Sequence, residues 1–185
     1  GSLSSTSNFD LRDGTVSGRL AGSTGIDKTT TGTVTITSTA STYSGTTNIL
    51  QGTLAMGAVN ALPLGGNVTL GNGTTVGTLD LNTFDQTMGA LQINFGTGNQ
   101  IVIDAGATLT QTGGLIFGAA ATGSGTFTAT GGGAWVIDAA TQNVEIRNTV
   151  TGNGTLTFDL AGLQSFNANV KEFNLGFSSV SQTIT

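Results

Sequence analysis

The sequence predicts an all-β protein, a parallel β-helix (β-solenoid) in which the chain coils around one axis. Three observations predict this fold class. Short strands with apolar residues at alternate positions recur along the 185 residues, and Gly or Asn bounds most of them. Equivalent apolar positions repeat at about 24 residues, within the range of repeat proteins. Charged residues make up only 8%, so coils stacked on one another would rarely bring like charges together.

The alternating runs define the strands one by one. Thr, Asp, Asn or Glu usually separates the apolar residues, and Thr is β-branched, which favours extended backbone. The clearest apolar sets are Val34 with Ile36, Leu54 with Met56, Val68 with Leu70, Leu79 with Leu81, Ile101 with Ile103, Phe127 with Ala129, Val144 with Ile146, and Leu156, Phe158 with Leu160. We expect these side chains to form the core.

The repeat is marked by Leu54, Leu79, Ile103 and Phe127, which we expect to occupy equivalent positions of successive coils. Glycine runs at 113–114 and 131–133 indicate corners between strands. About 20 to 25 residues per coil predict roughly eight rungs and a rod roughly 40 Å long.

An antiparallel sandwich is the alternative topology for many short strands. It requires two-residue hairpin turns, and the candidates are Asn72-Gly73 and Asn153-Gly154. The repeat period and the scarcity of charge favour the β-helix over the sandwich.

The composition excludes several functional classes. The chain has no His and no Cys, which excludes a Ser-His-Asp triad, a Cys nucleophile and zinc held by thiolate or imidazole. The formal net charge is -5 and the five Lys and Arg residues are scattered, so we expect no nucleic-acid partner. No apolar run is long enough for a membrane-spanning helix.

We expect residues 1–185 to form a single β-helical fragment of a longer protein. Gly1-Ser2 is typical of a cloning scar, and the sequence from Val180 to Thr185 still alternates apolar with polar residues. The pattern therefore continues to the end of the chain.

Residues 42–91 resemble a known family. The motifs are Tyr43-Ser44-Gly45, Gly52-Thr53-Leu54, Asn60-Ala61-Leu62-Pro63, Gly66-Asn67-Val68-Thr69-Leu70 and Gly77-Thr78-Leu79-Asp80-Leu81, followed by Asn82 to Leu91. In this order they resemble the autotransporter-associated β-strand repeat, also described as the passenger-associated transport repeat. The preceding Gly25-Ile26-Asp27-Lys28 and Gly32-Thr33-Val34-Thr35-Ile36 are similar to the lead-in of that family.

The resemblance implies a right-handed parallel β-helix in the passenger of a bacterial surface or secreted protein. In such proteins a downstream β-barrel in the Gram-negative outer membrane anchors the passenger, and the repeat is associated with passenger folding and export. The expected function is therefore structural and adhesive, with a host cell, a glycan or a second bacterium as the ligand. A carbohydrate-active or carbohydrate-binding β-helix is the alternative.

Two groups of carboxylates are candidate sites. Asp80 and Asp104 are 24 residues apart, so they either stack and hold Ca²⁺ or are separated by a loop offset, which we favour. The set Asp138, Glu145, Arg147 and Asp159 is dense enough for a carbohydrate-active site. A surface ion pair of Glu145 with Arg147 is the preferred interpretation, and we expect no catalytic residue, cofactor or metal.

Aromatic and threonine residues offer further candidates. Trp135 and Tyr43 are either sugar-stacking platforms or buried packing residues. Phe166, Phe173 and Phe177, with Val170 and Leu175, are expected in the core of the last rungs, with a docking face as the alternative. The run Thr33-x-Thr35-x-Thr37-x-Thr39 has ice-binding spacing, but Thr53 and Thr78 are expected to stand alone, which argues against a lattice.

Overall fold

The computed structural model describes residues 1–39, 41–94, 96–119, 125–147, 155–176 and 181–184, and within these ranges it contains strands, turns and bends but no helix. In chain order the strands are β1 Ser2–Ser4, β2 Phe9–Leu11, β3 Gly14–Val16, β4 Arg19–Gly22, β5 Ile26–Lys28, β6 Thr33–Ile36, β7 Thr42–Tyr43, β8 Thr47–Ile49, β9 Gly52–Met56, β10 Val68–Leu70, β11 Gly77–Asp80, β12 Gln86–Met88, β13 Leu91–Asn94, β14 Thr97–Val102, β15 Thr108–Gln111, β16 Leu115–Ala119, β17 Gly125–Thr130, β18 Ala134–Arg147, β19 Thr155–Asp159, β20 Ser165–Gly176 and β21 Ser181–Ile184.

The strands form a parallel β-helix with three faces. The first face contains β1-β4-β7 and, further along the axis, β12-β15 with the first half of β18. The second face runs β2-β5-β8-β10-β13-β16 to the second half of β18, and the third runs from β3 to β21. The long β18 and β20 pass from the first face to the second, and pair with each other on both.

The pairing confirms the predicted parallel β-helix and excludes the sandwich. Every pairing between the named strands is parallel, and the antiparallel contact within the described residues is the isolated bridge of Asp104 with Gly132. Asn72-Gly73 belongs to the turn between β10 and β11, where Asn72 Oδ1 accepts hydrogen bonds from the Thr74 and Thr75 amides. Asn153-Gly154 lies outside the described residues. The count of roughly eight rungs and the right-handed coiling stay predictions.

The core consists of the inward residues of the alternating runs, as predicted. The members whose side chains are described are buried, from Val34 and Ile36 to Val144, except Leu160, which is partly buried. Burying a side chain of this size stabilises the fold by about 1.5–3 kcal/mol before entropy is counted.

The predicted equivalence of Leu54, Leu79, Ile103 and Phe127 is only partly right. Leu79 pairs with Leu54, but its next neighbour is Ile101. Phe127 is in register with Asn99, and Ile101 with Ala129. A shift by two residues keeps the same side chains pointing inward, so the alternation is preserved although the loop lengths vary.

Glycine allows the tight corners of the coil. Gly131, between β17 and β18, has a φ of 104°, and a Cβ at this position would overlap the Ile103 carbonyl. Gly113 lies between β15 and β16, where a Cβ would overlap the backbone of Ala90. The corners predicted from these glycine runs are therefore confirmed.

The first face is interrupted between β7 and β12. Residues 57–67, between β9 and β10, occupy the place of a strand without forming one. Asn60 fixes this loop to the following coil, because its amide donates to the Asp85 carbonyl at 2.9 Å and its side chain accepts from the Thr87 amide at 2.8 Å. Leu62 remains in the core, with 2% of its surface exposed.

Candidate binding groove on the second face

A column of mostly polar side chains runs along the outside of the second face. Its members follow one another in register from strand to strand: Asp10, Asp27, Asn48, Thr69, Gln92, Ile116 and Glu145. Alternation creates the column, because inward residues alternate with outward ones along each strand. The parallel register then places successive members about 4.8 Å apart.

The middle of this column forms the floor of a groove of about 430 Å³, which we call the second-face groove. Thr69, Gln92, Ile116 and Glu145 belong to the floor, and the corner segment of residues 141–143 in β18 forms part of its wall. The register of β18 with β20 shifts between Ala139 and Asn143. This irregularity in the paired strands is adjacent to the groove.

Amide groups give the groove both donors and acceptors. Asn67 Oδ1 accepts a hydrogen bond from the Ala90 amide at 2.9 Å, and Gln92 Nε2 donates to Asn94 Oδ1 at 2.9 Å. These bonds hold the two amides in place while Asn67 Nδ2 and Gln92 Oε1 have no partner among the described residues. A fixed donor and a fixed acceptor in a shallow groove match the hydroxyl groups of a neutral polyol.

The groove carries one residue of each charge. Glu145 and Lys171 both contribute to its lining, so the local formal charge is balanced. A strongly charged ligand would gain no net attraction from this pair, whereas a neutral ligand retains its hydrogen bonds with the amides.

The carboxylates considered for carbohydrate chemistry are distributed over all three faces. Asp138 lies in the first-face half of β18 and accepts a hydrogen bond from Asn169 at 3.1 Å. Glu145 is on the second face and Asp159 on the third. No two of these carboxylates share a face, so they do not provide the pair of acids that glycoside hydrolysis requires. The Arg147 side chain, and with it the expected ion pair with Glu145, lies outside the described part of the chain.

Asp80 and Asp104 are separated by a loop offset, as favoured. Asp80 is in register with Val102, whereas the Asp104 amide donates to the carbonyl of Asn82 at 3.0 Å. Among the described residues no group of three or more His, Cys, Asp or Glu side chains could hold a metal ion.

A stacked pair of carboxylates occurs instead at Asp10 and Asp27, which the sequence analysis missed. Asp10 accepts hydrogen bonds from Thr29 Oγ1 at 2.6 Å and from Arg12 Nε at 2.8 Å. The Thr29 hydroxyl, followed by the Arg12 guanidinium, lowers the pKa of Asp10. Asp27 is satisfied separately, by the amides of Asn8 and Asn48. The Arg12 guanidinium and the neutral donors Thr29, Asn8 and Asn48 thus compensate for the proximity of like charges.

Lys28 is a buried ammonium that composition alone did not reveal. It is in register with Leu11 and Ile49 and has no exposed surface. Its Nζ donates to the carbonyl oxygens of Thr30 and, at 3.1 Å, Gln51. Burial lowers the pKa of Lys28, and the nearby charges of Asp13 and Asp10 act in the opposite direction. The sequence signal for this burial was the position of Lys28 two residues after Ile26, which places both side chains on the inward face of β5.

Trp135 and Tyr43 are packing residues and not sugar-stacking platforms. Trp135 has no exposed surface and contacts Phe127 and Phe166 edge-on, with ring centroids 6.0 and 5.4 Å apart. Tyr43 is 2% exposed, and its hydroxyl shares a hydrogen bond of 2.5 Å with Thr47 Oγ1.

The ionisation of Tyr43 is expected to make the fold sensitive to alkali. Burial raises the pKa of its phenol, so above about pH 10 the unfolded chain loses a proton that the folded chain keeps. The free energy of unfolding should therefore fall as the pH rises beyond this point. Tyr43→Phe should show a smaller fall. Because the chain has one Tyr, its phenolate absorbance reports this group alone, and a normal titration in the folded protein would contradict the expectation.

Only some of the apolar residues predicted for the core of the last rungs have described side chains. Phe166 and Val170 pack against the core and are partly buried, which confirms their predicted place. Phe173 is in register with Val144 and Leu175 with Ile146, but their side chains lie outside the described part of the chain. Phe177 lies outside the described residues altogether.

The threonines of the third face stack more regularly than expected. Thr33 is in register with Thr53, and Thr53 with Thr78, so the expectation that the latter two stand alone is wrong. In the neighbouring outward column, Thr35 is followed by Ala55 and then by Asp80. Because these two residues are not threonines, the third face carries no two-dimensional threonine lattice at this point.

Comparison with known protein families, with curated proteins and with solved structures finds no significant match to this chain. Within the described residues, no helix has the length and apolar character needed to cross a bilayer.

Proposed function

We propose that this chain is a structural and adhesive β-helical segment of an autotransporter-type bacterial surface protein. The second-face groove is the observation that carries the adhesive part of the proposal. It combines fixed amide groups with balanced charge on a continuous parallel sheet. A rigid sheet holds these groups in place, which reduces the entropy lost on binding.

The ligand class that fits this groove best is a neutral glycan. Asn67, Thr69 and Gln92 offer amide and hydroxyl groups along the axis, and Ile116 adds an apolar contact for the C–H face of a sugar ring. Single contacts of this kind are weak, and many copies on a cell surface would strengthen them by multivalency. A host cell or another bacterium could present such a glycan.

The structural part of the proposal rests on how the coils support one another. Each described strand pairs with strands of adjacent coils, and the core is built from these neighbour contacts. A chain without Cys and with few charges could cross a membrane unfolded and fold coil by coil on the outside. Display on the Gram-negative outer membrane or secretion, beside a downstream barrel in the parent protein, belongs to the same proposal, which assigns no catalytic step.

The glycan proposal is tested by removing hydrogen-bonding groups from the groove while keeping its shape. The double variant Thr69→Val with Gln92→Met should bind a neutral oligosaccharide about 30-fold more weakly, because each of the two lost hydrogen bonds contributes about 1 kcal/mol. Thr128→Val, an outward residue of the third face, is the matched control and should bind like the unaltered chain. Calorimetric titration against a panel of neutral oligosaccharides gives the affinities. Equal affinities for all three proteins would contradict the assignment of the groove.

A further inference from the structure

The second-face groove runs along the axis of the β-helix, across the strands. Its lining comes from successive coils, those of β8, β10, β13, β16 and the second half of β18. One row of the lining consists of the residues that immediately precede the paired part of these strands, namely Thr46, Asn67, Ala90, Gly114 and Asn143. Since neighbouring strands are about 4.8 Å apart, this row is roughly 19 Å long.

The backbone of this row is held in place. The carbonyls of Asn67, Ala90 and Gly114 each accept a hydrogen bond of 2.9–3.0 Å from the strand of the preceding coil. Ala90 and Gly114 are partly exposed and carry the smallest side chains of the row. The depression therefore lies beside these two residues, between Asn67 and the corner segment of residues 141–143.

The width of the groove is that of a single row of sugar rings. Thr69, Gln92 and Ile116 form the floor two residues further along their strands than Asn67, Ala90 and Gly114. Two residues of a strand span about 6.6 Å, so the groove is much longer along the axis than across it. A ligand that fills it is a narrow chain lying parallel to the axis.

The uncharged part of the floor column extends over successive coils. Its members in this part are Asn48, Thr69, Gln92 and Ile116, with Asp27 before them and Glu145 after them. The two ends of the neutral stretch are thus marked by carboxylates. A neutral chain of about four units matches the number of uncharged coils.

We infer that the second-face groove binds an unbranched neutral oligosaccharide that lies along the axis with one sugar on each uncharged coil. This inference rests on the proposed glycan-binding function and adds the shape and the length of the ligand. In an extended chain of β-linked pyranoses joined through equatorial oxygens, each ring advances the chain by nearly one strand spacing. Successive rings therefore meet equivalent positions of successive coils.

The polar groups of the groove are arranged for this register. Asn67 and Thr69 belong to one coil, Gln92 to the next and Ile116 to the one after that. The free amide groups of Asn67 and Gln92 therefore contact neighbouring sugars, and the Ile116 side chain packs against the C–H face of a third. An α-linked chain curves, so its later rings leave the row.

The first test is a length series with the intact chain. Calorimetric titration with cello-oligosaccharides should show an affinity that rises about fivefold for each added sugar, because each ring gains about one hydrogen bond. The rise should stop at about four sugars, one for each uncharged coil. Malto-oligosaccharides of the same lengths contain the same glucose in α linkage and should gain little from added sugars.

The second test blocks the middle of the groove. Ala90→Leu puts a larger side chain into the depression and should remove most of the gain between the disaccharide and the tetrasaccharide. Ala105→Leu is the matched control, because Ala105 is exposed and lies outside the groove, and it should keep the full gain. Circular dichroism checks that both variants fold, and the length series on the unaltered chain does not depend on either of them.

The possible failures of this inference and of the proposed function differ. A disaccharide that binds as tightly as the tetrasaccharide would overturn the axial arrangement and leave glycan binding in place. Equal gains for the β-linked and α-linked series, or an undiminished gain in a folded Ala90→Leu variant, would do the same. Absence of binding by neutral glycans of every length and linkage would instead contradict the proposed function, and this inference with it.

Discussion

Replacing Trp135 by Ala is expected to lower the free energy of unfolding by about 3–5 kcal/mol. Trp135 has no exposed surface and lies between the rings of Phe127 and Phe166. Its removal leaves a cavity inside the coil and takes away two edge-on aromatic contacts. The surrounding strands are held by their ladders to the adjacent coils, so they should collapse only partly into the space.

Denaturant unfolding followed by circular dichroism measures this change. Leu64→Ala is the control, because its side chain is 69% exposed and its loss should alter the free energy of unfolding by about 0.5 kcal/mol or less. Trp135→Phe keeps a ring in the cluster, so its loss in the free energy of unfolding should lie between the losses of the other two variants. A loss of stability for Trp135→Ala no larger than that of Leu64→Ala would contradict the described core.

Replacing Gly77 by Ala is expected to destabilise the fold by about 1–3 kcal/mol or more. Gly77 begins β11 and pairs with Gly52, and a Cβ on Gly77 would overlap the backbone carbonyl of Ile49. Two adjacent coils would have to move apart to accept it. The shift would also disturb the hydrogen bond of 2.9 Å that the Gly77 amide donates to the buried Asn99 side chain.

Gly18→Ala provides the matched control for this substitution. A Cβ on Gly18 would meet nothing within 4 Å, so the same chemical change should leave the free energy of unfolding within about 0.5 kcal/mol. Thermal unfolding of the two variants gives the comparison. Equal stability would show that the coils are not packed as closely as the described backbone requires.

Local alternation was enough to predict the fold class and most of the core. A strand with one buried face needs apolar residues at every second position, and this requirement is visible in single segments such as Val34 to Ile36. The axial register of the strands was harder to predict from the sequence, because it depends on loop lengths. Ile101 and Ile103 both point inward, so the sequence pattern alone cannot choose which of them lies beside Leu79.

The second-face groove and the interruption of the first face could not be predicted from the sequence. The second-face groove depends on which outward residues become neighbours, and the pairing of Gln92 with Ile116 and of Ile116 with Glu145 is set by the three-dimensional register. The interruption of the first face between β7 and β12 reflects the absence of a strand, for which the local signal was Pro63 followed by the glycines at 65 and 66. Proline lacks the N–H that a sheet ladder requires, and glycine favours a turn.

Binding of the purified chain to intact cells and to a panel of neutral glycans, with and without Ca²⁺, tests the adhesive assignment most directly. Saturable binding is expected, unaffected by Ca²⁺ and reduced about 30-fold by Thr69→Val with Gln92→Met. The control Thr128→Val should bind like the unaltered chain. Absence of saturable binding to every cell and glycan tested would contradict an adhesive role and leave the β-helix as a scaffold for passenger folding and export.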